Sequence, residues 1–134
     1  MDKKSLLYIS LIAVFFIQSC IENKTNEVEL ITIEQMNEAI EDETIQLIDV
    51  RTTEEYFESH LSNAQNICVS DIGFKEKAKT LDKNKPVYVY CKKGKESKRA
   101  AKILKEMGFK KIYNFDGGIF LWEENGYETD HSKP

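Results

Sequence analysis

The sequence contains no apolar run long enough to cross a bilayer, no excess of positive charge and few cysteines. Its longest mainly apolar run, residues 6–17, spans 12 residues, whereas a transmembrane helix needs about 20. The net charge of −4 argues against a nucleic-acid partner, because proteins of that class carry basic surfaces. Of the three cysteines, only Cys68 and Cys91 lie beyond the N-terminal segment.

The N-terminal segment has the features of a secretion signal. Lys3 and Lys4 precede the apolar run, whose length suits the central region of a signal peptide. The residues that follow, 17–20 (Ile-Gln-Ser-Cys), resemble the bacterial lipobox. We therefore predict a signal peptide over 1–19 and a lipidated N-terminal Cys20. A short membrane anchor or a core helix is the alternative interpretation of the apolar run.

Residues 20–27 are predicted to form the lipidated cysteine and a flexible tether, because they are polar and poor in bulky side chains. The resulting expectation is an extracytoplasmic domain anchored by lipid to a bacterial membrane. The domain would face the periplasm or lie at the cell surface.

Charge is distributed unevenly along the chain. Residues 22–58 contain 12 acidic and 2 basic residues, whereas residues 91–111 contain 9 basic and 2 acidic ones. Much of the basic charge suits a solvated helix face. Lys92, Lys93 and Lys95 differ because they are close to Cys91, where they would favour the thiolate and attract anions.

Composition and patterning predict one α/β domain, since 41% hydrophobic and 31% charged residues are ordinary for a globular protein. Thr32 with Gln35 and Thr52 with Glu55 form capping-box patterns that predict helices to about residues 40 and 59. Alternating strands and helices imply an open parallel sheet of five strands with helices on both faces. The strands are expected near residues 28–31, 45–50, 64–69, 87–90 and 109–115.

The later helices are less regular in pattern. Ser70-Asp71 is expected to cap a helix to about residue 81 with Ile72, Phe74 and Ala78 buried. A further helix is expected from Ser97, ending at a Gly108 cap, and the last one over 119–124, ending at Gly126.

Cys91 lies where the strand over 87–90 ends and a short polar loop leads into a helix. Backbone N–H groups and the positive end of the helix dipole at such a place favour an ionised thiol, which is the nucleophilic form of cysteine. The alternative is a small buried apolar residue. In open α/β sheets ligands bind beyond the carboxyl ends of the strands, and both Cys91 and the Asp49–Arg51 segment fall there.

Three segments of the sequence resemble the rhodanese family. Residues 47–67 are similar to its first signature, and residues 116–122 followed by Gly126-Tyr127 are similar to its second. The pattern Cys91-x-x-Gly94-x-x-Ser97 is similar to the family's six-residue active-site loop. The resemblance covers residues 28–128 as a single rhodanese domain and leaves 129–134 as a polar tail.

This resemblance implies a sulfurtransferase. Cys91 would take a sulfane sulfur from a donor such as thiosulfate or a persulfide, hold it as its own persulfide and pass it to a thiol or cyanide. No metal or organic cofactor would be needed. The expected partners are a small anionic sulfur donor, a thiol acceptor and, through the lipid, the membrane. The chain is expected to be a monomer. The loop residues that would bind the anion are Lys92, Lys93, Gly94, Lys95, Glu96 and Ser97.

Four further residues are expected to shape or support the pocket: Asp49, Arg51, Glu55 and His60. Arg51 and Glu55 are spaced for an i, i+4 ion pair. His60 either acts as a general base or fixes its turn by hydrogen bonds, whereas His131 in the polar tail has no predicted role.

The sequence departs from the family pattern at three places. Ser59 and Asn63 stand where the family usually has glycine, and asparagine tolerates positive φ best. Glu96 stands in a loop where active members often carry arginine, so it would disfavour the thiolate and repel anionic donors.

Two other functions and one other cysteine state are compatible with this pattern. Cell-cycle-type cysteine phosphatases share the fold, but their loop ends in arginine, whereas Arg99 comes two residues after Ser97. Rhodanese-like domains also serve as non-catalytic binding modules, usually with the cysteine lost. Cys68 could pair with Cys91 in a disulfide, or remain a buried, inert residue.

Overall fold

The computed structural model describes residues 26–133. The predicted signal peptide, Cys20 and nearly all of the tether lie outside these residues. The described strands are β1 (Glu27–Ile31), β2 (Gln46–Asp49), β3 (Gln65–Asn66), β4 (Val87–Tyr90) and β5 (Lys111–Phe115). The described helices are α1 (Ile33–Ala39), α2 (Thr53–Glu58), α3 (Phe74–Ala78), α4 (Lys95–Glu106) and α5 (Gly118–Glu124).

None of the helices within residues 26–133 is long and apolar enough to span a membrane.

The five strands form one parallel sheet in the order β1-β5-β4-β2-β3. β4 lies at its centre, between β2 and β5. The predicted α/β architecture is therefore confirmed. Because all strands run the same way, the carboxyl end of β4 shares one edge of the sheet with the ends of β2, β3 and β5.

Each face of the sheet is covered by its own apolar core. On one face, Val89 of β4 packs with Phe74 of α3 and with Ala100 and Leu104 of α4. On the other, Leu47 of β2 packs with residues of α1 and α5. The buried α1 and α5 side chains of this second core are Ile33, Met36, Ile119 and Trp122. Side chains alternate between the faces along each strand, which places Cys91 on the face covered by α3 and α4.

Both predicted capping boxes form. The Thr32 hydroxyl accepts from the Gln35 N–H at 3.3 Å, and the Gln35 side chain accepts from the Thr32 N–H at 2.8 Å. Thr52 and Glu55 make the equivalent pair at the start of α2. Each box satisfies backbone donors that a helix leaves unpaired at its start.

The bounds of three elements, β3, α3 and α4, were predicted wrongly. β3 contains only two residues rather than six. Helix α3 begins after Gly73, with no side-chain cap from Ser70 or Asp71, and ends at Ala78. Ile72 precedes this helix and is fully exposed, so its predicted burial was wrong, whereas Phe74 and Ala78 are buried as predicted. Helix α4 begins at Lys95, two residues before Ser97.

The turn after α2 and the C-terminal tail are joined by hydrogen bonds. The His60 N–H donates to the Asp130 carbonyl at 2.9 Å, and the Asp130 N–H donates to the His60 carbonyl at 2.8 Å. His131, for which no role was predicted, also forms a hydrogen bond through Nδ1 with the Glu58 carbonyl. Asn63 adopts φ 63°, the left-handed conformation expected where the family has glycine.

Candidate active site at the carboxyl end of the sheet

Cys91 follows the last residue of the central strand directly. Its side chain is 2% exposed. The loop of residues 92–94 then leads into α4, whose first residue is Lys95. The predicted strand, loop and helix around the thiol are all present, although the loop is shorter than predicted.

The sulfur of Cys91 makes two hydrogen bonds with its own loop. The Gly94 N–H donates to it at 3.1 Å, and the thiol donates to Ser97 Oγ at 3.4 Å. The Ser97 hydroxyl in turn donates to the Gly94 carbonyl at 3.1 Å. A hydroxyl can rotate its hydrogen, so Ser97 can accept from a thiol and donate to a thiolate. The loop thus accommodates both protonation states of the sulfur.

The start of α4 adds unpaired backbone donors directly after the loop that carries Cys91. The first N–H groups of an α-helix have no acceptor within the helix. In α4 the Lys98 N–H bonds to the Gly94 carbonyl at 3.2 Å, so the N–H groups of Lys95, Glu96 and Ser97 belong to this unpaired first turn. Such groups favour negative charge near the helix start.

The loop is held from behind by the start of α5. The Ile119 N–H donates to the Cys91 carbonyl at 2.9 Å, and the Phe120 N–H donates to the Lys92 carbonyl at 3.1 Å. A Cβ on Gly118, whose φ is 61°, would collide with those same two carbonyls. The second sequence signature therefore supports the loop that carries the thiol, because only glycine permits this close approach.

Asp116 packs closely against Gly94. Its φ is 104°, and a Cβ there would collide with the Asp116 carbonyl and lie 2.6 Å from Asp116 Oδ1. Glycine at this position allows the loop to turn back so that its own N–H faces the sulfur.

A cavity of about 350 Å³ lies in front of Cys91. Seven residues from the sequence-based predictions line it: Cys91, Lys92, Lys93, Lys95, Glu96, Arg51 and Glu55. The other four predicted residues, Asp49, His60, Gly94 and Ser97, lie outside that lining. Gly94 and Ser97 contact the sulfur from the loop side, whereas Asp49 and His60 are buried elsewhere.

The charges at the cavity are mixed but predominantly basic. Lys93 Nζ lies 4.4 Å from the centre of the Phe120 ring, a cation–π distance that holds the ammonium group at the rim. The Glu96 carboxylate lies 3.8 Å from Arg99 Nη1. This pair partly neutralises the acidic side chain expected to repel anions. Arg99 is 58% exposed and is not among the described residues that line the cavity, which disfavours a phosphate clamp of the phosphatase type.

Behind the cavity wall lies a buried ionic network. Arg51 Nε and Nη2 donate to the Asp49 carboxylate at 3.0 and 2.6 Å, and Arg51 Nη2 also donates to the Ser59 carbonyl. Burial alone would lower the pKa of the Arg51 guanidinium, but its hydrogen bonds and attraction to Asp49 outweigh this and raise the pKa above its usual value. The predicted Arg51–Glu55 ion pair was wrong, since Asp49 takes the guanidinium and Glu55 caps α2.

Tyr90 completes this network from the central strand. Its hydroxyl donates to Asp49 Oδ2 at 2.7 Å and accepts from the Leu61 N–H at 3.0 Å. Burial raises the pKa of Tyr90 well above its usual value, and the charge of Asp49 adds to the effect. The hydroxyl therefore keeps its proton and serves as a fixed donor, which ties β4 to β2 immediately before Cys91.

The prediction that His60 fixes its turn by hydrogen bonds is confirmed. Its Nδ1 lies 2.8 Å from the Tyr56 carbonyl, and its ring stacks on Tyr56 with centroids 4.0 Å apart. Since it does not line the cavity, the geometry gives no support to a general-base role.

Four cavity residues were not predicted: Val50, Thr52, Cys68 and Ser70. The rule that placed Arg51 at the site, that ligands bind beyond the carboxyl ends of parallel strands, applies equally to the segment after β3. Applied there, it would have found Cys68 and Ser70. Both Cys68 and Cys91 are free thiols, so no disulfide joins them.

The family model of the rhodanese-like domain matches residues 32–125. The chain belongs to the rhodanese-like family. This match includes the Cys91 loop, the turn at Gly118 and the Asp49–Arg51 network.

Individual relatives agree with the family match. Over 96 residues the chain is 34% identical to the thiosulfate sulfurtransferase GlpE of Coxiella burnetii (strain RSA 331 / Henzerling II), covering 72% of this chain and 88% of that protein. It is 39% identical over 70 residues to the thiosulfate sulfurtransferase PspE of Escherichia coli (strain K12), covering 52% of this chain and 67% of that protein.

A solved structure confirms the rhodanese-like fold. The crystal structure of a rhodanese-related protein from Thermoplasma volcanium superposes with a TM-score of 0.67 at 30% sequence identity. The superposition covers 76% of this chain and 97% of that one.

Proposed function

We propose that this protein is a sulfurtransferase that carries a sulfane sulfur as a persulfide on Cys91. The observation that carries the proposal is the position of the Cys91 sulfur. It is held by the Gly94 N–H and the Ser97 hydroxyl at the base of a cavity with three lysines in its lining. The names of the GlpE and PspE relatives support the same reaction class.

The transfer occurs in two displacements. The Cys91 thiolate attacks the outer sulfur of thiosulfate, a sulfur–sulfur bond forms to Cys91, and sulfite leaves with the electron pair of the broken bond. An acceptor thiolate or cyanide then attacks the outer sulfur of the persulfide, and the Cys91 thiolate is regenerated. Both steps place negative charge on sulfur in front of the loop, where N–H donors and ammonium groups stabilise it.

A small anionic donor suits the cavity electrostatics. Lys92, Lys93 and Lys95 line it, and all three are solvent-exposed, so they can meet a donor before it reaches the sulfur. Cationic side chains at a cavity mouth raise the local concentration of anions. Arg51 contributes less, because its guanidinium is already bound by Asp49. The cavity residues that these steps use all belong to one chain, so we propose that the protein acts as a monomer.

Thiocyanate formation from thiosulfate and cyanide tests this proposal. We expect the parent to form thiocyanate and Cys91→Ser to form none above the uncatalysed rate, because an alcohol cannot hold the sulfane sulfur. An aryl phosphate run in parallel should remain intact. Aryl phosphate hydrolysis without thiocyanate formation would favour a phosphatase instead. Biological activity that survives in Cys91→Ser would favour a binding module.

The location that we propose is outside the cytoplasm, with the chain anchored to a bacterial membrane through lipid on Cys20. Its support is the sequence of residues 1–20, in which Lys3 and Lys4, the apolar run and the Ser19-Cys20 ending follow in order. Labelled fatty acid should enter the parent chain and not Cys20→Ser. Equal labelling of the two would contradict the anchor.

A further inference from the structure

Cys68 is the second thiol of the Cys91 cavity. It is 6% exposed and lines the same space as Cys91, with Val50 and Ser70 beside it. Among residues 26–133, the Cys68 sulfur makes no hydrogen bond, whereas the Cys91 sulfur makes two. Cys68 is therefore a buried, unpaired thiol at the cavity that contains the proposed sulfur carrier.

Val50, the residue after β2, lies between the two cysteines where the backbone hydrogen bonds of the sheet continue past the named strands. Its N–H donates to the Tyr90 carbonyl at 3.1 Å, and its carbonyl accepts from the Val69 N–H at 3.0 Å. Since neighbouring strands lie about 4.8 Å apart, the Cys91 and Cys68 backbones are about 9–10 Å apart across two such spacings. A disulfide needs Cα atoms closer than about 7 Å, so the two thiols cannot join directly.

A persulfide on Cys91 extends the reach of that side chain toward Cys68. The added sulfur stands about 2 Å beyond the Cys91 sulfur, the length of an S–S bond. It must project into the cavity, because Gly94 and Ser97 occupy the loop side of the Cys91 sulfur. Cys68 lines that cavity. The outer sulfur and the Cys68 thiol therefore share one cavity.

We propose that Cys68 is a second sulfur-accepting thiol, loaded by transfer from Cys91; this rests on the proposed function. The Cys68 thiolate attacks the outer sulfur of the Cys91 persulfide and forms a new S–S bond with it. The bond between that sulfur and Cys91 breaks, and its electron pair remains on Cys91 as a thiolate. The proton given up by Cys68 matches the one that Cys91 takes up, so the step needs neither oxidant nor reductant.

Transfer regenerates Cys91 for a second turnover with the donor. With donor in excess and no acceptor, one chain then holds two sulfane sulfurs. The second sulfur is stored on a thiol that makes no hydrogen bond with the active-site loop.

Time-resolved peptide mass spectrometry tests the transfer. The full chain, carrying Cys20→Ser in every sample, is treated with excess thiosulfate, alkylated at intervals without reductant and digested with trypsin. Cleavage separates Cys68, in residues 52–75, from Cys91, in residues 84–92. We expect sulfur on the Cys91 peptide first and on the Cys68 peptide later, with a final gain of about 64 Da per chain at about 32 Da per persulfide sulfur.

Three variants make the result specific. Cys68→Ser and Cys68→Ala should both stop at about 32 Da, one persulfide sulfur on Cys91; the pair guards against a folding defect in either one. Ile72→Ala changes the same segment at a fully exposed position outside the cavity lining and keeps both thiols, so it should load twice. Cys91→Ser should leave the Cys68 peptide unmodified, because thiosulfate then has no carrier.

The results distinguish a failure of the transfer to Cys68 from a failure of the proposed function. If the Cys91 peptide gains sulfur and the Cys68 peptide does not, the transfer to Cys68 is overturned and the proposed function stands. Equal loading of Cys68 in Cys91→Ser also overturns it, because the sulfur then came directly from the donor. If neither peptide gains sulfur from any donor, the proposed function itself fails.

Discussion

The N–H of Gly94 donates to the sulfur of Cys91 at 3.1 Å. Two features of the fold make this possible. Gly94 adopts φ 104°, with Asp116 where a side chain would lie, and α5 holds the Cys91 and Lys92 carbonyls from behind. The reactive sulfur is thus positioned by backbone geometry that depends on glycine.

Replacing Gly94 should therefore destabilise the loop by more than the free energy of the unfavourable backbone conformation alone. A non-glycine residue at positive φ costs about 1–2 kcal/mol, and Gly94→Ala adds the collision with Asp116, which displaces the loop. We expect sulfur transfer to fall by a factor of about 100 or more, in the range reported for the loss of one N–H donor at a reacting centre. Initial rates of thiocyanate formation measure this.

Gly108→Ala is the matched control. Gly108 also has positive φ, 92°, but no atom lies within 4 Å of an added Cβ. It should lose only about 1–2 kcal/mol of unfolding free energy and keep its activity. Equal activity of the two variants would contradict the role assigned to the Gly94 N–H.

Ser97→Ala should slow transfer without unfolding the domain. The variant removes the hydroxyl that bonds the Cys91 sulfur and the Gly94 carbonyl. A hydrogen bond of this kind contributes about 1–1.5 kcal/mol, so we expect a rate lower by about ten-fold. Single-turnover loading with thiosulfate is the measurement. Ser62→Ala, which removes a hydroxyl that donates to Asp130 Oδ2 outside the cavity lining, should load at the parent rate; the same loss in both would contradict a specific role for Ser97.

Glu96 should weaken donor binding although Arg99 partly neutralises it. Exposed ion pairs contribute about 0.2–1 kcal/mol, so Glu96→Gln should lower the KM for thiosulfate by at most about five-fold. Lys95→Gln should raise it by a similar factor. Both effects should shrink at high salt because the charges are exposed.

Glu106→Gln controls for net charge, since Glu106 is exposed on the last turn of α4, away from the cavity. Its KM should match the parent's. An unchanged KM in Glu96→Gln would show that this carboxylate does not face the donor.

The Asp49–Arg51 pair should be essential for stability. Arg51→Ala leaves the fully buried Asp49 carboxylate without its cation, a change that costs about 3–5 kcal/mol when one partner of a buried pair is lost. Urea unfolding monitored through Trp122 measures the loss. Lys79→Ala, which breaks an exposed pair with Glu76, should cost less than about 1 kcal/mol. Similar losses for the two would contradict a structural role for Arg51.

Patterns that depend on local chemistry predicted the fold well. Both capping boxes and the five strands follow from residue types and their spacing, whereas the positive φ of Asn63 was expected from the resemblance to the family. The partner of Arg51 was not predictable in the same way. The i, i+4 spacing favours Glu55, but the guanidinium is buried and binds Asp49 at the end of β2, because the Glu55 side chain already caps α2.

The start of α3 shows a second limit. Ser70 and Asp71 have the composition of a helix cap, yet the chain continues through a turn to Gly73, and Ile72 is left exposed. Long-range packing decides this segment, since Phe74 anchors the helix in the core. Cys68, just before this segment, lines the cavity; the rule for the carboxyl ends of parallel strands would have placed it there had it been applied to β3.

The most direct test of sulfur transfer through Cys91 is the intact mass of the full chain after thiosulfate treatment and removal of the donor. The parent should gain at least one sulfur, about 32 Da, which cyanide then removes as thiocyanate, and Cys91→Ser should gain none. An unchanged parent mass with thiosulfate and with small-molecule persulfides, or an equal gain in Cys91→Ser, would contradict a persulfide carried on Cys91.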